Sequence, residues 1–267
     1  MPSYLVTGAS RGLGYAFARN LAAVPGNTVI GMVRNKEATL ARLEEDGITN
    51  VAIVEADITD QKALAAAFDE VKALTNGSLD VVINNAALIS DRSAFTTLVD
   101  DEPAALEEDL MTSFRANVVG VANTVNTFLP LLRAGHAKKV ITISTGMADM
   151  DLVNRFNVPI AAPYSISKAA TNALVAKYNA ALGKSAGILF MAISPGYVDT
   201  SEGKAPTEAD MAGGQAMGAK FAAYAPHMTG PLTPEESVKM QLEVVDKATV
   251  ETMGGAFVSH FGNKQWL

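Results

Sequence analysis

What the sequence lacks excludes several chemistries. None of its 267 residues is a cysteine, so disulfides, thiolate nucleophiles and cysteine metal ligands are ruled out. The three histidines, His136, His227 and His260, do not have the spacing of metal ligands, and we expect no metal site. Lysines and arginines form no block and the formal net charge is −7, which argues against a nucleic-acid surface.

Membrane and export signals are also missing from the sequence. No apolar stretch reaches the roughly 20 residues that a membrane span needs. The N-terminus runs almost directly into an apolar strand pattern, without the charged and apolar segments of a signal peptide. We therefore expect a cytoplasmic protein without a membrane partner.

The chain contains regularly spaced apolar runs that alternate with longer helical patterns, which is typical of β-α-β units. The pattern predicts one α/β domain over residues 1–267, with helices on both faces of a doubly wound parallel sheet of about seven strands. The predicted strands are 3–7, 28–33, 50–55, 79–84, 138–144, 187–194 and 255–259.

Two connections, at about 146–162 and 200–232, are longer than those usual in compact domains, and we interpret both as substrate loops. Their apolar side chains predict an adaptable hydrophobic mouth for a hydrophobic or aromatic substrate. These side chains are Met147, Met150, Leu152, Phe156, Ile160, Met211, Met217, Phe221, Tyr224 and Met228. The alternative is that they only pack the two segments against the protein.

A glycine-rich turn follows the first strand. Gly8, Gly12 and Gly14 precede a predicted helix, where glycines let the backbone approach a pyrophosphate and the helix N-terminus attracts its charge. The second strand is followed by Arg34 rather than by an acidic residue that would bind a ribose hydroxyl. Arg34 and Arg11 therefore favour NADP over NAD, although each arginine alone fits an ordinary surface position.

Polar residues also follow the third and fourth predicted strands. Asp57 could contact an adenine amino group, cap a helix over 59–75, or do both. Asn84 and Asn85 precede small residues that leave room for a nicotinamide ribose. The alternative is that the two asparagines only end the strand.

The strongest chemical signal is the pair Tyr164 and Lys168. On a helix the two side chains share one face, with their roots about 5–6 Å apart. The lysine charge is expected to lower the phenol pKa from its reference value of about 10 toward neutrality, so that the phenol can exchange protons with a substrate oxygen. The alternative is a surface helix that happens to carry both residues.

Two long helices are predicted near this pair. One spans 106–129, is ended by Pro130, and carries Asn117 on its apolar stripe, where a buried amide needs hydrogen-bonding partners. The other spans 161–182, with Gly183 as its stop. Pro195 and Gly196 then turn the backbone after the sixth strand, which exposes main-chain groups to a ligand.

Taken together, these motifs resemble the short-chain dehydrogenase/reductase family across essentially the whole chain. The motifs are Thr7-Gly-x-x-x-Gly12-x-Gly14, Asp57, Asn84-Asn85-Ala86, Asn117, Ser144-Thr145, Tyr164-x-x-x-Lys168 and Pro195-Gly196. Within the family, Val33-Arg34-Asn35 and the ending Gly255-x-Phe257…Gly262-x-x-x-Trp266 look similar to small carbonyl reductases of the sniffer and C-factor type and to fungal norsolorinic-acid-type ketoreductases.

The resemblance implies a Rossmann fold and a role for each motif residue. Tyr164 would donate the proton, Lys168 would bind the nicotinamide ribose and favour the phenolate, and Asn117 would hold a relay water. The implied cofactor-binding residues are Gly8, Ser10, Arg11, Gly12, Leu13, Gly14, Arg34, Asn35, Asp57, Ile58, Asn85, Ala86, Ala87, Tyr164, Lys168, Pro195, Gly196, Val198 and Thr200.

The chain departs from the family pattern at two points. Thr145 stands where the family has its usual serine, and Ser144 precedes it. Adjacent strand residues face opposite sides, so only one hydroxyl is expected to reach a substrate oxygen; register favours Thr145, with Ser144 as the alternative. Ala87 replaces a glycine, which adds one methyl group near the cofactor.

The sequence thus predicts an NADPH-dependent carbonyl reductase acting on a small-molecule ketone or aldehyde. One alternative is an NAD-dependent alcohol dehydrogenase working oxidatively. Another is a regulator that senses a dinucleotide without turnover. Apolar residues beyond one stripe of the helices predicted at 106–129 and 161–182 also suggest a homodimer or homotetramer.

Overall fold

A parallel sheet of seven strands organises the part of the chain that the structure describes, residues 1–202 and 208–267 of a computed structural model. The strands are β1 (Ser3–Thr7), β2 (Thr28–Val33), β3 (Val51–Glu55), β4 (Val81–Asn84), β5 (Lys139–Ile143), β6 (Leu189–Ser194) and β7 (Phe257–Ser259). Their order is β3-β2-β1-β4-β5-β6-β7. The predicted single-domain, doubly wound Rossmann fold is confirmed, and each strand begins and ends within two residues of its predicted bounds.

Helices cover both faces of the sheet. They are α1 (Gly12–Ala22), α2 (Lys36–Glu45), α3 (Gln61–Leu74), α4 (Pro103–Phe114), α5 (Gly120–Ala134), α6 (Met150–Phe156), α7 (Ala162–Tyr178), α8 (Lys184–Ala186), α9 (Glu208–Tyr224), α10 (Pro234–Lys247) and α11 (Val250–Met253). Helices α1 and α10 pack on one face, and α3, α5 and α7 on the other. None of the helices in the described ranges is long and apolar enough to cross a bilayer.

The strands are mostly apolar because both faces of the sheet are covered. In β6, Met191 and Ile193 belong to the core beneath α1 and α10, while Phe190 and Ala192 belong to the core beneath α5 and α7. Side chains alternate between the two faces of a strand, so a strand buried on both sides has no polar face. This packing brings the carboxyl ends of all seven strands to one edge, where the candidate site lies.

The first long helix differs from the prediction. It is continuous from Pro103 to Ala134, through a π-helical segment at Arg115–Val119 that joins α4 to α5. Pro130 lies inside α5 and does not end it. Proline removes one helical N–H, but Phe128 and Leu132 beside it are fully buried, and their packing keeps the helix continuous.

The second long helix also ends later than predicted. After α7 it passes through a π-helical segment, Asn179–Gly183, into α8, and it stops at Gly187, which has a left-handed φ of 64°. Gly183 is therefore not the stop. A Cβ at Gly183 would lie 2.5 Å from Oδ1 of Asn179, so this glycine serves a close contact instead.

The two segments predicted as substrate loops contain helices. The first holds a 3₁₀ turn, Gly146–Ala148, and α6; the second holds α9, while its residues 203–207 lie outside the described residues. Leu152 of α6 and Met217 of α9 are buried together with Trp266. The packing alternative therefore holds for these side chains, whereas Met150 and Met211 are exposed.

Candidate active site

Tyr164 and Lys168 lie one turn apart on α7, at the carboxyl edge of the sheet. The Lys168 Nζ is 5.8 Å from the centroid of the Tyr164 ring. It also donates a 2.7 Å hydrogen bond to the carbonyl of Ile143, the last residue of β5. Lys168 is 1% exposed, so this bond anchors a buried ammonium group to the sheet edge.

Burial shifts the pKa values of both groups in the directions that disfavour charge. It raises the pKa of the Tyr164 phenol above its ordinary value and lowers the pKa of Lys168 to about 8. The expectation that Lys168 brings the phenol pKa toward neutrality is therefore wrong, because burial raises that pKa. At neutral pH the phenol is protonated, which is the form that donates a proton.

Asn117 holds three elements together beside this pair. It lies in the π-helical segment Arg115–Val119 and is fully buried. Its Oδ1 accepts from the Leu88 N–H at 2.7 Å, and its Nδ2 donates to the Leu88 carbonyl at 2.9 Å and to Ser167 Oγ at 2.8 Å. The predicted need for partners is thus met by protein groups, and a relay water held by Asn117 stays a prediction.

The two adjacent hydroxyls after β5 have different surroundings. Ser144 is 1% exposed, and its Oγ donates to Oδ1 of Asn172 at 2.7 Å. Thr145 Oγ1 accepts from the Met147 N–H at 3.3 Å, and within the described residues its own proton has no acceptor. Thr145 is therefore the hydroxyl that can donate to a ligand.

Sequence reasoning missed Asn172. It lies one turn beyond Lys168 on α7, so Tyr164, Lys168 and Asn172 form an i, i+4, i+8 series on one helix face. That spacing is a signal that could have identified Asn172 as the partner that holds Ser144.

The glycine-rich turn is tied to the end of β4. The Asn85 side chain donates to the carbonyls of Thr7 and Gly8 at 3.0 and 3.2 Å, and Thr7 Oγ1 accepts from the N–H groups of Asn85 and Ala86, both at 3.0 Å. A Cβ at Gly14 would lie 2.1 Å from the Gly8 carbonyl oxygen, so only glycine fits there.

The backbone N–H groups at the N-terminus of α1 fit the pyrophosphate of a nicotinamide dinucleotide. The N-terminus of α1 already binds an anion, because the Gly12 N–H donates to the Glu202 carboxylate at 3.0 Å. The same carboxylate oxygen accepts from Arg42 Nη1 at 2.9 Å, and that nitrogen also donates to the Ser10 carbonyl at 3.1 Å. Neither Glu202 nor Arg42 was predicted, because 160 residues separate them and no local pattern links them.

Residues after β2 and β3 form the other end of the predicted cofactor groove. Arg34 and Arg11 are both exposed. Asn35 caps α2, its Oδ1 accepting from the Ala38 N–H at 2.9 Å. Ile58 packs against Gly120 of α5, where a Cβ would lie 2.7 Å from Ile58 Cδ1.

The expected helix-capping role of Asp57 is wrong. The cap of α3 is Asp60, whose Oδ1 accepts from the N–H groups of residues 62 and 63. Asp57 instead accepts from the N–H and hydroxyl of Thr59 at 2.8 and 2.7 Å. Burial raises the pKa of Asp57, but these bonds and the charges of Arg34 and Arg115 outweigh it and hold the pKa below its usual value. Asp57 therefore faces the groove as a carboxylate.

The turn after β6 packs against His260 and is hydrogen-bonded to Ser237. Gly196 has φ of 85°, and a Cβ there would lie 2.7 Å from Cε1 of His260, while the Pro195 carbonyl accepts from Ser237 Oγ at 2.7 Å. Burial lowers the pKa of His260 to about 4, so its ring is neutral. His260 was not predicted here, although it follows β7 at the same edge of the sheet.

The remaining residues predicted to bind the cofactor lie outside the turn after β6. Val198 forms a parallel bridge with Leu232, and Thr200 lies 3.5 Å from where a Cβ at Gly12 would be. Leu13 packs against the core of the α1 face, and Ala87 is exposed. Thr200 thus brings the segment after β6 to the glycine-rich turn.

An apolar cavity of about 560 Å³ lies on another side of α7. Ala162, Ile166 and Ala169 line it, and these helix positions face away from Tyr164 and Lys168. Met147, Met150 and Ile160 of the predicted mouth also line it, together with Leu98 and Val99. Asn117 and the residues of the Tyr164, Lys168, Ser144 and Thr145 cluster are not among the residues that line this cavity.

A tyrosine and a buried lysine beside a glycine-rich turn, at the carboxyl edge of a doubly wound sheet, define a nucleotide-dependent oxidoreductase. A family model described as short chain dehydrogenase matches residues 3–211. Short-chain dehydrogenase/reductase AacuF of Aspergillus aculeatus is 58% identical over 267 residues, and short chain dehydrogenase virK of Hypocrea virens is 46% identical over 272, each covering 100% of both chains. The chain belongs to the short-chain dehydrogenase/reductase family.

Solved structures show the same fold. The NADPH-bound carbonyl reductase from chicken fatty liver aligns with a TM-score of 0.76 at 24% identity, and covers 98% of each chain. Carbonyl reductase Sniffer of D. melanogaster aligns with a TM-score of 0.77 at 21% identity, with the same coverage. At these identities the likeness concerns the fold.

The two hydroxyls can be separated by substitution. We expect Thr145→Ala to lower kcat by roughly 10²–10³-fold, the usual effect of removing one preorganised donor. The matched variant Ser144→Ala should leave kcat nearly unchanged, because Ser144 donates to Asn172 rather than to a ligand. Steady-state turnover of the nicotinamide cofactor measures both, and the reverse ranking would contradict the assignment.

Proposed function

We propose that this protein is an NADPH-dependent carbonyl reductase that reduces a hydrophobic or aromatic ketone or aldehyde. The observation that carries the proposal is the Tyr164 and Lys168 pair, anchored at the carboxyl end of β5 through the Ile143 carbonyl. Thr145 follows the same strand and has a hydroxyl proton available for a substrate oxygen. This is the set of groups that a carbonyl reduction requires.

The chemistry is divided between the cofactor and these side chains. Reduced nicotinamide, when bound, would supply the hydride to the carbonyl carbon of the substrate. Tyr164 gives its phenolic proton to the oxygen of the substrate carbonyl as negative charge develops there, and Thr145 donates a hydrogen bond to the same oxygen. Lys168, mostly protonated at neutral pH, stabilises the negative charge left on the Tyr164 oxygen and is placed to bind the nicotinamide ribose.

The protonation of Tyr164 at neutral pH suits its proposed role as the acid in reduction. Oxidation of an alcohol needs a phenolate as base, whereas reduction needs a phenol as acid. Burial raises the pKa of Tyr164, so the acid form prevails at neutral pH. A regulator that only senses a dinucleotide is disfavoured too, because binding alone makes no use of Tyr164 beside a buried Lys168.

The proposed preference for NADPH rests on two exposed arginines, and on the lack of an acidic residue directly after β2. Arg11 lies in the glycine-rich turn and Arg34 directly follows β2, at the end of the groove where the adenosine would bind. No carboxylate occupies the position after β2 that would suit a ribose 2′-hydroxyl. Guanidinium groups suit a 2′-phosphate because they bind phosphate oxygens in pairs.

The substrate and oligomer proposals rest on apolar surface. Met147 lies two residues after Thr145, close to the end of β5. Near the turn after β6, the rings of Tyr197 and Phe221 meet edge to face, with their centroids 5.3 Å apart. Exposed Met111, Phe114 and Ile166 on α4 and α7 support a homodimer or homotetramer through these helices.

The proposed mechanism predicts a large effect of one hydroxyl group. Tyr164→Phe should lower kcat for NADPH-dependent reduction of an aromatic ketone by about 10²–10⁴-fold, because general acid catalysis is lost. Tyr178→Phe is the matched control on the same helix, since its hydroxyl donates to the Ala122 carbonyl and to Oδ1 of Asn126, and it should retain activity. Undiminished NADPH consumption by Tyr164→Phe would rule the mechanism out.

The cofactor assignment predicts a selective effect at Arg34. Arg34→Ala should raise the KM for NADPH roughly tenfold or more, because a charge-assisted contact to phosphate is lost, and it should leave the KM for NADH unchanged. Arg133→Ala, which removes an exposed arginine from α5, is the matched control. An unchanged KM for NADPH in Arg34→Ala would overturn this assignment.

A further inference from the structure

The Glu202 carboxylate sits on the N-terminus of α1. Its Oε1 accepts from the Gly12 N–H at 3.0 Å, and Gly12 is the first residue of that helix. The free N–H groups and the dipole of a helix N-terminus make it a site for an anion. This N–H belongs to the glycine-rich turn that is proposed to hold the pyrophosphate. The Glu202 carboxylate and the pyrophosphate would therefore compete for the same donor.

A second donor strengthens the same contact. Arg42 Nη1 donates to the same Glu202 oxygen at 2.9 Å and to the Ser10 carbonyl at 3.1 Å. The guanidinium is positioned 4.1 Å over the ring of Tyr15 in α1. The Glu202 carboxylate therefore accepts from a backbone N–H of the glycine-rich turn and from the Arg42 guanidinium. Arg42 lies on α2 and is itself bonded to that turn through the Ser10 carbonyl.

The charge of Glu202 is retained at neutral pH. Burial raises the pKa of its carboxyl, but the hydrogen bonds from Gly12 and Arg42 and the charges of Arg42 and Arg11 outweigh burial and hold the pKa below its usual value. The group that faces the α1 N-terminus is thus a carboxylate, with the same sign of charge as a phosphate.

The segment that carries Glu202 lies across the groove. Thr200, two residues earlier, is 3.5 Å from where a Cβ at Gly12 would be. Glu202 itself has φ of 52°, a left-handed conformation that is strained for a residue other than glycine. The bonds to Gly12 and Arg42 offset the cost of this conformation.

We propose that Glu202 is an affinity-determining residue of the cofactor site, an internal anion that a dinucleotide must displace from Gly12 and Arg42 when it binds. The proposal rests on the proposed dinucleotide function. A dinucleotide then binds only the fraction of protein in which Glu202 has left the helix N-terminus. The apparent dissociation constant is the intrinsic one divided by that fraction. Because NADPH and NADH share the pyrophosphate, both are affected by the same factor.

Calorimetric titration of the full chain with NADPH and, separately, with NADH tests the proposal without an activity assay. Glu202→Gln removes the charge and Glu202→Ala also removes the acceptor. Each should lower both dissociation constants by roughly tenfold, the size expected for loss of a competing charged hydrogen bond. Asp199→Asn is the matched control, since Asp199 is an acid of the same segment whose carboxylate accepts from the Ser201 N–H.

Three outcomes would overturn the proposal. Unchanged or weaker binding in both Glu202 variants would show that the carboxylate does not compete. Equal tightening in Asp199→Asn would show a general effect of charge. Tightening for NADPH but not NADH would show repulsion of the 2′-phosphate alone. A wild-type protein that binds NADH more tightly than NADPH would contradict the proposed cofactor instead, and the ratio between variant and wild type would still test Glu202.

Discussion

The hydrogen bond from the buried Lys168 ammonium to the Ile143 carbonyl is the contact on which the site depends. A buried cation is unfavourable unless a protein group replaces its hydration, and here the last carbonyl of β5 does so. The bond ties α7 to the sheet edge at the end of β5, one turn along the helix from Tyr164. The groups proposed to be catalytic thus come from α7 and from the end of β5, which this charged contact joins.

Asn117 provides the matching constraint on the other side of α7. Its amide joins the π-helical segment after α4 to the loop at Leu88 and to Ser167 on α7, and the Thr171 hydroxyl donates to the Asn117 carbonyl at 2.8 Å. Asn117 has several partners because both its side-chain amide and its backbone carbonyl form hydrogen bonds. Asn117 is therefore held by partners from the loop at Leu88 and from α7.

The sequence predicts those features that local rules determine. The strands follow from apolar runs with both faces buried, and the shared face of Tyr164 and Lys168 follows from helical spacing. Features set by packing were missed: α5 continues through Pro130 because its flanks are buried, and Asp60 rather than Asp57 caps α3 because the backbone turns three residues later. The contact between Glu202 and Arg42 joins segments 160 residues apart, and desolvation of Tyr164 depends on its neighbours, so neither could be read from local sequence.

The central claim is that Lys168 is an anchored, buried ammonium beside Tyr164, and nuclear magnetic resonance of ¹⁵N-labelled lysine tests it most directly. Burial disfavours the charged form, so the Lys168 amine, assigned by comparison with Lys168→Met, should titrate with a pKa of about 8 in the cofactor-free protein. A titration at the ordinary lysine value of about 10.4 would show a solvated side chain and contradict the account.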